Sequence, residues 1–242
     1  MRFGFKSDKG VVRKINEDSY NIIRNNDGIP YCFIVADGMG GHNSGEVASK
    51  MAVDLVTEAF NDDWKISGIQ IADKITEVIR AANRIIYENS IEHAENHGMG
   101  TTIIVSVLHK DKVIIGHVGD SRVYLIRNNT ILKITTDHSF IEELVNKGTL
   151  TREEAEMHPK KNVITRAVGY EDDVSIDIYE SDFFDGDIFL LCTDGLTNKL
   201  SETEIFEIVN KSDELQTACE RLVAGANKKG GEDNITVLTF SR

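Results

Sequence analysis

The chain has 242 residues, of which 28% are charged and 40% hydrophobic, with a formal net charge of −13. That is a globular composition, long enough to bury a sizeable core and unlike a disordered polymer. The acidic balance argues against nucleic acid and anionic membrane surfaces as partners, because both call for a basic face.

Residues 2–6 read as a first strand and Ser7-Asp8-Lys9-Gly10 as a turn. Strands over 19–24 and 31–36 flank Asn25-Asn26-Asp27-Gly28, a hairpin signal. The second of them, Tyr31 to Ala36, is expected to deliver Asp37 at its tip. From Gly45 the pattern becomes helical, since Val47, Met51, Leu55, Ala59 and Ala48, Ala52, Val56, Phe60 recur every four residues. A second helix covers about 68–91. Strands follow over 102–108, 113–118, 122–127 and 131–134, with Lys110-Asp111 and Asn128-Asn129 as short turns between antiparallel neighbours. Residues 139–161 read as one or two short helices. Strands resume over 163–168, 174–179 and 188–192. Ser201 and Glu204 form a capping box, a last helix runs over about 213–228, and a strand covers 235–240.

Helices grouped between antiparallel runs give an α+β class, with two sheets packed face to face and helix pairs outside. No apolar run approaches the roughly 18 residues of a membrane span. Met1-Arg2-Phe3-Gly4-Phe5-Lys6 holds no signal-peptide core. Cys32, Cys192 and Cys219 fall on apolar strands and an apolar helix face, which reads as buried reduced thiols and a cytoplasmic location.

The chemistry lies in acidic residues at strand ends. Asp37-Gly38 follows an apolar strand and opens a stretch of four glycines and His42. Taken alone, Asp-Gly is also common turn chemistry. The form recurs, however, at Val118-Gly119-Asp120-Ser121, at Cys192-Thr193-Asp194-Gly195 and at Gly231-Glu232-Asp233-Asn234, and Glu17-Asp18 adds another acidic pair. Several carboxylates in one place would repel one another strongly. A hard divalent cation such as Mg²⁺ or Mn²⁺ resolves that repulsion. Other chemistries lack their residues. No His-Glu-x-x-His occurs, and Gly38, Asn198 and Gly225 stand where a Cys-x₅-Arg loop needs arginine. Val35 and Cys192 stand where an Asp-x-Asp-Gly nucleophile motif needs aspartate.

The ordered set Ser7-Asp8-x-Gly10-x-x-Arg13-x-x-Asn16-Glu17-Asp18, Asp37-Gly38-Met39-Gly40-Gly41-His42, Gly100-Thr101-Thr102, Gly119-Asp120-Ser121-Arg122, Asp137-His138-Ser139, Ile164-Thr165-Arg166-Ala167-Val168-Gly169, Thr193-Asp194-Gly195 and Asp233-Asn234-Ile235-Thr236 resembles the metal-dependent Ser/Thr protein phosphatases of the PP2C (PPM) family, in its bacterial branch. The resemblance spans essentially the whole chain. It implies one domain over 1–242, a central antiparallel β-sandwich flanked by helix pairs in four layers, and a flap at about 139–170. It implies two Mn²⁺ or Mg²⁺ ions, with a third, weaker ion in bacterial members. Asp37 would bridge the two ions, and Asp194 and Asp233 would complete one of them. The Gly38 carbonyl and Asp18 or Glu17 would serve the other, partly through water. Asp120 with Asp194 would hold the third.

The physical chemistry agrees with that assignment. Two divalent ions and Arg13 would balance the five aspartates and let a phosphate dianion enter. A hydroxide bridging two metals is a nucleophile for in-line attack. Arg13 can clamp two phosphoryl oxygens with its planar fork, and His42 can protonate the departing serine or threonine oxygen. Asp37 joins Arg13 and His42 as the catalytic set. The expected partners are proteins phosphorylated on Ser or Thr and a cognate Ser/Thr kinase, with no nucleic acid, no membrane insertion and a monomeric chain. Two rival readings stay open here, a phosphoprotein-binding relative with little catalysis and a structural cation-binding domain. Arg122 and Arg166 are expected to brace loops or pair with carboxylates, and Asn234 to support the ligands rather than be one.

Overall fold

A computed structural model describes residues 1–40, 44–61, 68–156 and 158–242. In chain order its strands are β1 (Arg2–Asp8), β2 (Asp18–Arg24), β3 (Pro30–Met39), β4 (Gly100–Thr101), β5 (Ile103–His109), β6 (Lys112–Val118), β7 (Arg122–Arg127), β8 (Thr130–Lys133), β9 (Asp177–Asp182), β10 (Ile188–Cys192) and β11 (Ile235–Ser241). Its helices are α1 (Gly45–Phe60), α2 (Gly68–Glu92), α3 (Phe140–Asn146), α4 (Arg152–Glu156), α5 (Asp194–Thr197), α6 (Glu202–Asn210) and α7 (Leu215–Lys228). The strands form two antiparallel sheets. One has the order β1-β11-β10-β7-β8, the other β2-β3-β5-β6-β9, with β4 added to β3.

The central strands are apolar at successive positions because both their faces are covered. Along β3, Cys32, Ile34 and Ala36 pack under α1 and α2, whereas Phe33 and Val35 point between the sheets. Along β10 and β11, Leu190, Cys192, Ile235 and Val237 pack against α6 and α7, and Phe189, Leu191, Leu238 and Phe240 point between the sheets. Strand periodicity of two therefore sorts one sequence run into two cores. A stack of Phe33, Phe240 and Phe189, with ring centroids 4.2 and 5.3 Å apart, fills the space between the sheets. The four-layer α-β-β-α arrangement expected from the sequence is the one observed. The capping box at Ser201 and Glu204 is present with both of its hydrogen bonds.

Three local expectations change. Asp37 is not a strand tip, because β4 pairs with Gly38 and Met39 and carries β3 onward. Residues 163–168 are not a strand. They make only the isolated bridges Ser139–Ile164 and Thr101–Val168, for want of a continuous neighbour. The strand expected over 174–179 lies instead at Asp177–Asp182, where it registers on β6.

Candidate active site

The acidic residues meet at one end of the two sheets. Asp18 opens β2 directly opposite Asp37 on β3. Asp194 follows β10, and Asp233 precedes its antiparallel partner β11, so both lie at the same end of the other sheet. Asp120 sits in the Gly119-Asp120-Ser121 link by which the chain leaves β6 in one sheet and enters β7 in the other. Gly119 makes that crossing at φ +109°, a conformation that favours glycine.

Hydrogen bonds fasten the two halves together. Thr193 Oγ1 donates to Asp18 Oδ2 at 3.0 Å and accepts from the Thr236 amide at 3.0 Å. Asn234 Oδ1 accepts from the Glu17 amide at 2.8 Å, tying the start of β11 to the segment that carries Glu17 and Asp18. The Asp37 amide donates to Thr102 Oγ1, and the Asp37 carbonyl accepts from the Thr102 amide and from Thr101 Oγ1, all at 2.9 Å. Thr102 Oγ1 pairs in turn with Ser121 Oγ at 2.8 Å, linking Asp37 to the Asp120 loop.

Close backbone approach explains the glycines that follow Asp37 and Asp194. A Cβ on Gly38 would fall 2.1 Å from the Gly45 carbonyl oxygen, and one on Gly195 would fall 2.0 Å from that of Asn234. At the start of α1, a Cβ on Gly45 would meet Glu17 Oε1 at 2.6 Å and the Gly38 carbonyl oxygen at 2.9 Å. Those two oxygens therefore flank one spot at the helix N-terminus.

The electrostatics match the crowding. Burial first, then repulsion from Asp18, Asp194, Asp120 and Asp233, raises Asp37 well above the ordinary carboxylate range. Burial pushes Asp18 up to about 7, against hydrogen bonds from Thr236 and Thr193. Burial, with repulsion from Asp194 and Asp137, pushes Asp120 up to about 8. Burial and the Asp233 charge push Asp194 up to about 6. Glu17 is also raised, by burial against the pull of Arg13.

The residues present fit a hard cation. Asp18 Oδ1, Asp120 Oδ1 and Glu46 Oε2 are buried oxygens without a hydrogen-bond partner. A buried carboxylate oxygen without a donor is costly, and a divalent ion removes that cost. Among the described residues, no three His, Cys, Asp or Glu side chains close around one point as a ready ligand set. A bound ion would draw its remaining ligands from backbone carbonyl and water, the all-oxygen set that suits Mg²⁺ and Mn²⁺.

Arg13 lies at the rim, about half exposed. Its Nη2 donates to Asp233 at 3.0 Å, and its Nη1 is 3.8 Å from Glu17. His42 lies outside the described residues. Arg122 pairs with the buried Asp137 at 2.7 Å, and Arg166 with Asp177 at 2.7 Å, as expected of bracing residues. The sequence reading missed Glu46, whose place in the first turn of α1 looks like ordinary helix-end charge. Thr193 and the hydroxyl of Thr102 also carry bracing contacts that their motifs alone do not reveal, because each partner is distant in the chain.

The profile of the family described as Protein phosphatase 2C matches residues 11–228. A serine/threonine phosphatase stp of Listeria welshimeri is 40% identical over 243 residues, covering 100% of this chain and 96% of that protein. The structure of the S. agalactiae serine/threonine phosphatase superposes with a TM-score of 0.94 at 36% identity, over 100% of this chain and 99% of that one. The catalytic domain of the serine threonine protein phosphatase PstP, solved in complex with 2 manganese ions, superposes with a TM-score of 0.87 at 33% identity, over 98% and 96% of the two chains. With a profile across most of its length, relatives that it matches end to end, and carboxylates gathered from both sheets of the same fold, this chain belongs to the protein phosphatase 2C family.

Proposed function

We propose that this protein serine/threonine phosphatase works through two divalent ions, Mn²⁺ or Mg²⁺, at the sheet end just described. Asp37 would lie between them, Asp194 and Asp233 on one side, and the Gly38 carbonyl with Asp18 or Glu17 on the other. Asp120 and Asp194 would hold a third, weaker ion. The observation that carries this reading is the meeting of five aspartates from both sheets, two of them with buried oxygens that nothing else satisfies. Ions bound there would offset the charge of a phosphate dianion and activate water for attack.

The chain's own residues supply the rest. Arg13 presents a planar fork that can take two phosphoryl oxygens at the edge of the acidic cluster. His42 is assigned the proton that the departing serine or threonine oxygen must gain, since an alkoxide is a poor leaving group. Asn234, Thr193 and Thr102 hold the ligand-bearing backbone in place by the hydrogen bonds given above. The substrates are proteins phosphorylated on serine or threonine, and the enzyme would oppose a Ser/Thr kinase. The chain would act as one monomeric domain, with 139–170 as a flap beside the site. Among the described residues no helix is long and apolar enough to cross a membrane, which accords with the cytoplasmic location proposed.

The test is hydrolysis of p-nitrophenyl phosphate and of a phosphothreonine peptide by metal-stripped protein, with and without Mn²⁺, alongside circular dichroism. Turnover only with Mn²⁺, on a fold retained throughout, is expected. Equal turnover in chelator would overturn the metal assignment, and metal-bound protein without turnover would overturn the catalytic one.

A further inference from the structure

In the loop between β1 and β2, three apolar residues stand on either side of Arg13 in the sequence. Val11 is 68% exposed, Val12 64% and Ile15 39%. A single exposed valine needs no explanation, but three exposed apolar residues out of five, in the loop that carries the proposed phosphate clamp, call for one.

The backbone beneath them is tightly held. The amides of Val11 and Val12 both donate to the Gly231 carbonyl, at 2.8 and 3.3 Å. Asn234 Nδ2 donates to the carbonyls of Lys9 and Ile15, each at 2.9 Å, and so ties the loop at both ends. The Gly10 amide donates to Asp8 Oδ1 at 3.0 Å, and Asn16 Nδ2 donates to Ser7 Oγ at 2.8 Å. Gly10 has a φ of +79°, and a Cβ there would lie 2.2 Å from the Asp233 carbonyl oxygen. The loop is thus fastened to the segment that carries Asp233, whose carboxylate in turn holds Arg13. A well-anchored backbone is presenting apolar side chains to solvent.

We propose that Val11, Val12 and Ile15 form an apolar rim that touches the residues flanking the phosphorylated side chain of a protein substrate. The enzyme then favours phosphosites with apolar neighbours. The inference rests on the phosphatase reading and on Arg13 as the phosphate clamp. The occupant follows from the size of the substrate group. In phosphoserine or phosphothreonine only one carbon and one oxygen separate Cα from phosphorus. A phosphoryl group on Arg13 therefore brings the substrate backbone down onto the residues around Arg13. An extended segment advances about 3.3 Å per residue, so the side chains one and two positions away reach the rim as well.

The experiment compares the unsubstituted protein with a Val11→Ser/Val12→Ser double variant, both saturated with Mn²⁺. Each is assayed on p-nitrophenyl phosphate and on two phosphothreonine peptides, one flanked by leucine and valine, the other by serine and glycine. The expected result is that the unsubstituted protein prefers the apolar-flanked peptide. In the variant, KM for that peptide rises about tenfold with kcat unchanged. Turnover of p-nitrophenyl phosphate, which has no flanking residues, serves as the internal reference for folding and chemistry. If the two peptides are treated alike by the unsubstituted protein, or lose equally in the variant, the rim is overturned while the phosphatase reading stands. If the unsubstituted protein hydrolyses none of the three, the phosphatase reading fails and the rim with it. An Ile15→Ser variant, two residues after Arg13 in the same loop, should show the same peptide-selective rise, and a uniform loss on all three substrates would count against the rim.

Discussion

Arg13 and Asp233, 220 residues apart in the chain, share a hydrogen-bonded ion pair at 3.0 Å on the edge of the acidic cluster. The pair joins the loop after β1 to the start of β11, so the proposed phosphate clamp and a proposed metal ligand are set in place by one contact. Both side chains are substantially exposed, so solvent screens the pair and its value lies in orientation rather than stability.

Replacing Arg13 should therefore separate catalysis from metal binding. Arg13→Ala is expected to lower kcat/KM on p-nitrophenyl phosphate about 100-fold, the scale of losing a forked, charge-assisted contact in the transition state. Arg13→Lys should recover only part of that, because an ammonium cannot fork. Mn²⁺ affinity by calorimetry should not fall in either variant, since the cation in this position competes with a metal for Asp233. A loss of metal binding parallel to the loss of turnover would show that Arg13 acts through the ligands instead.

Asp37→Asn should abolish turnover, by at least about 10³-fold, because the ions lose the carboxylate assigned to both. The same substitution removes a carboxyl that burial, and then repulsion from its neighbours, holds well above the ordinary carboxylate range. In chelator the variant should therefore melt higher than the parent protein, at about 2–4 °C per kcal/mol for a chain of this size. Asp194→Asn should behave alike with a smaller thermal gain, since Asp194 is raised less. Thermal unfolding in EDTA and steady-state assay in Mn²⁺ check the two halves separately.

The raised carboxylates fix the direction of a pH effect. In the metal-free protein Asp18 and Asp120 keep their protons up to about 7 and about 8, whereas the unfolded chain releases them near 3.8. The folded state binds more protons between those limits, so its stability is highest below the unfolded value and is lost as pH rises through the folded values. A cation favours the ionised carboxylates, so the rise in melting temperature caused by Mn²⁺ should grow from pH 5 to about pH 8. A rise that is flat or shrinking over that range would exclude these groups as the ligands.

His117 acts in the opposite direction. Its Nε2 meets the Ser121 carbonyl at 2.8 Å, which can only accept, so Nε2 carries the proton. Nδ1 is buried without a partner, and burial with the nearby His138 pushes the imidazole down to about 3. The unfolded chain takes up a proton near 6.5, so this contribution to stability is present above that value and is lost as pH falls toward 3. His117→Gln can keep the donor to Ser121 without titrating. With Mn²⁺ saturating, its melting temperature should fall less between pH 6.5 and about pH 5 than that of the parent.

Much of this protein could be read without coordinates, and the reasons are local. Residues buried on alternate sides of a strand, or every fourth residue of a helix, mark themselves by hydropathy, which located α1, α7, β7 and β10 closely. The Ser201 capping box depends on residues three apart. The acidic strand ends declare themselves because carboxylates rarely follow apolar runs without a reason, and the ordered motifs carried the family.

Partner choice was not local. Strands buried on both faces look alike whichever sheet they join, so nothing in the run from β6 to β7 says that Gly119-Asp120-Ser121 crosses from one sheet to the other. The length of β3 was misjudged because its last residues pair with β4, which is only two residues long. Glu46 looked like a helix-end charge until its Oε2 proved buried and without a partner. The contacts that set the site, Thr193 on Asp18 and Arg13 on Asp233, span 175 and 220 residues. The acidic groups, the buried runs and the family resemblance are all legible along the chain. Only the packing of two sheets face to face decided which carboxylates meet, because that juxtaposition is set by long-range burial of surfaces that hydropathy alone does not tell apart.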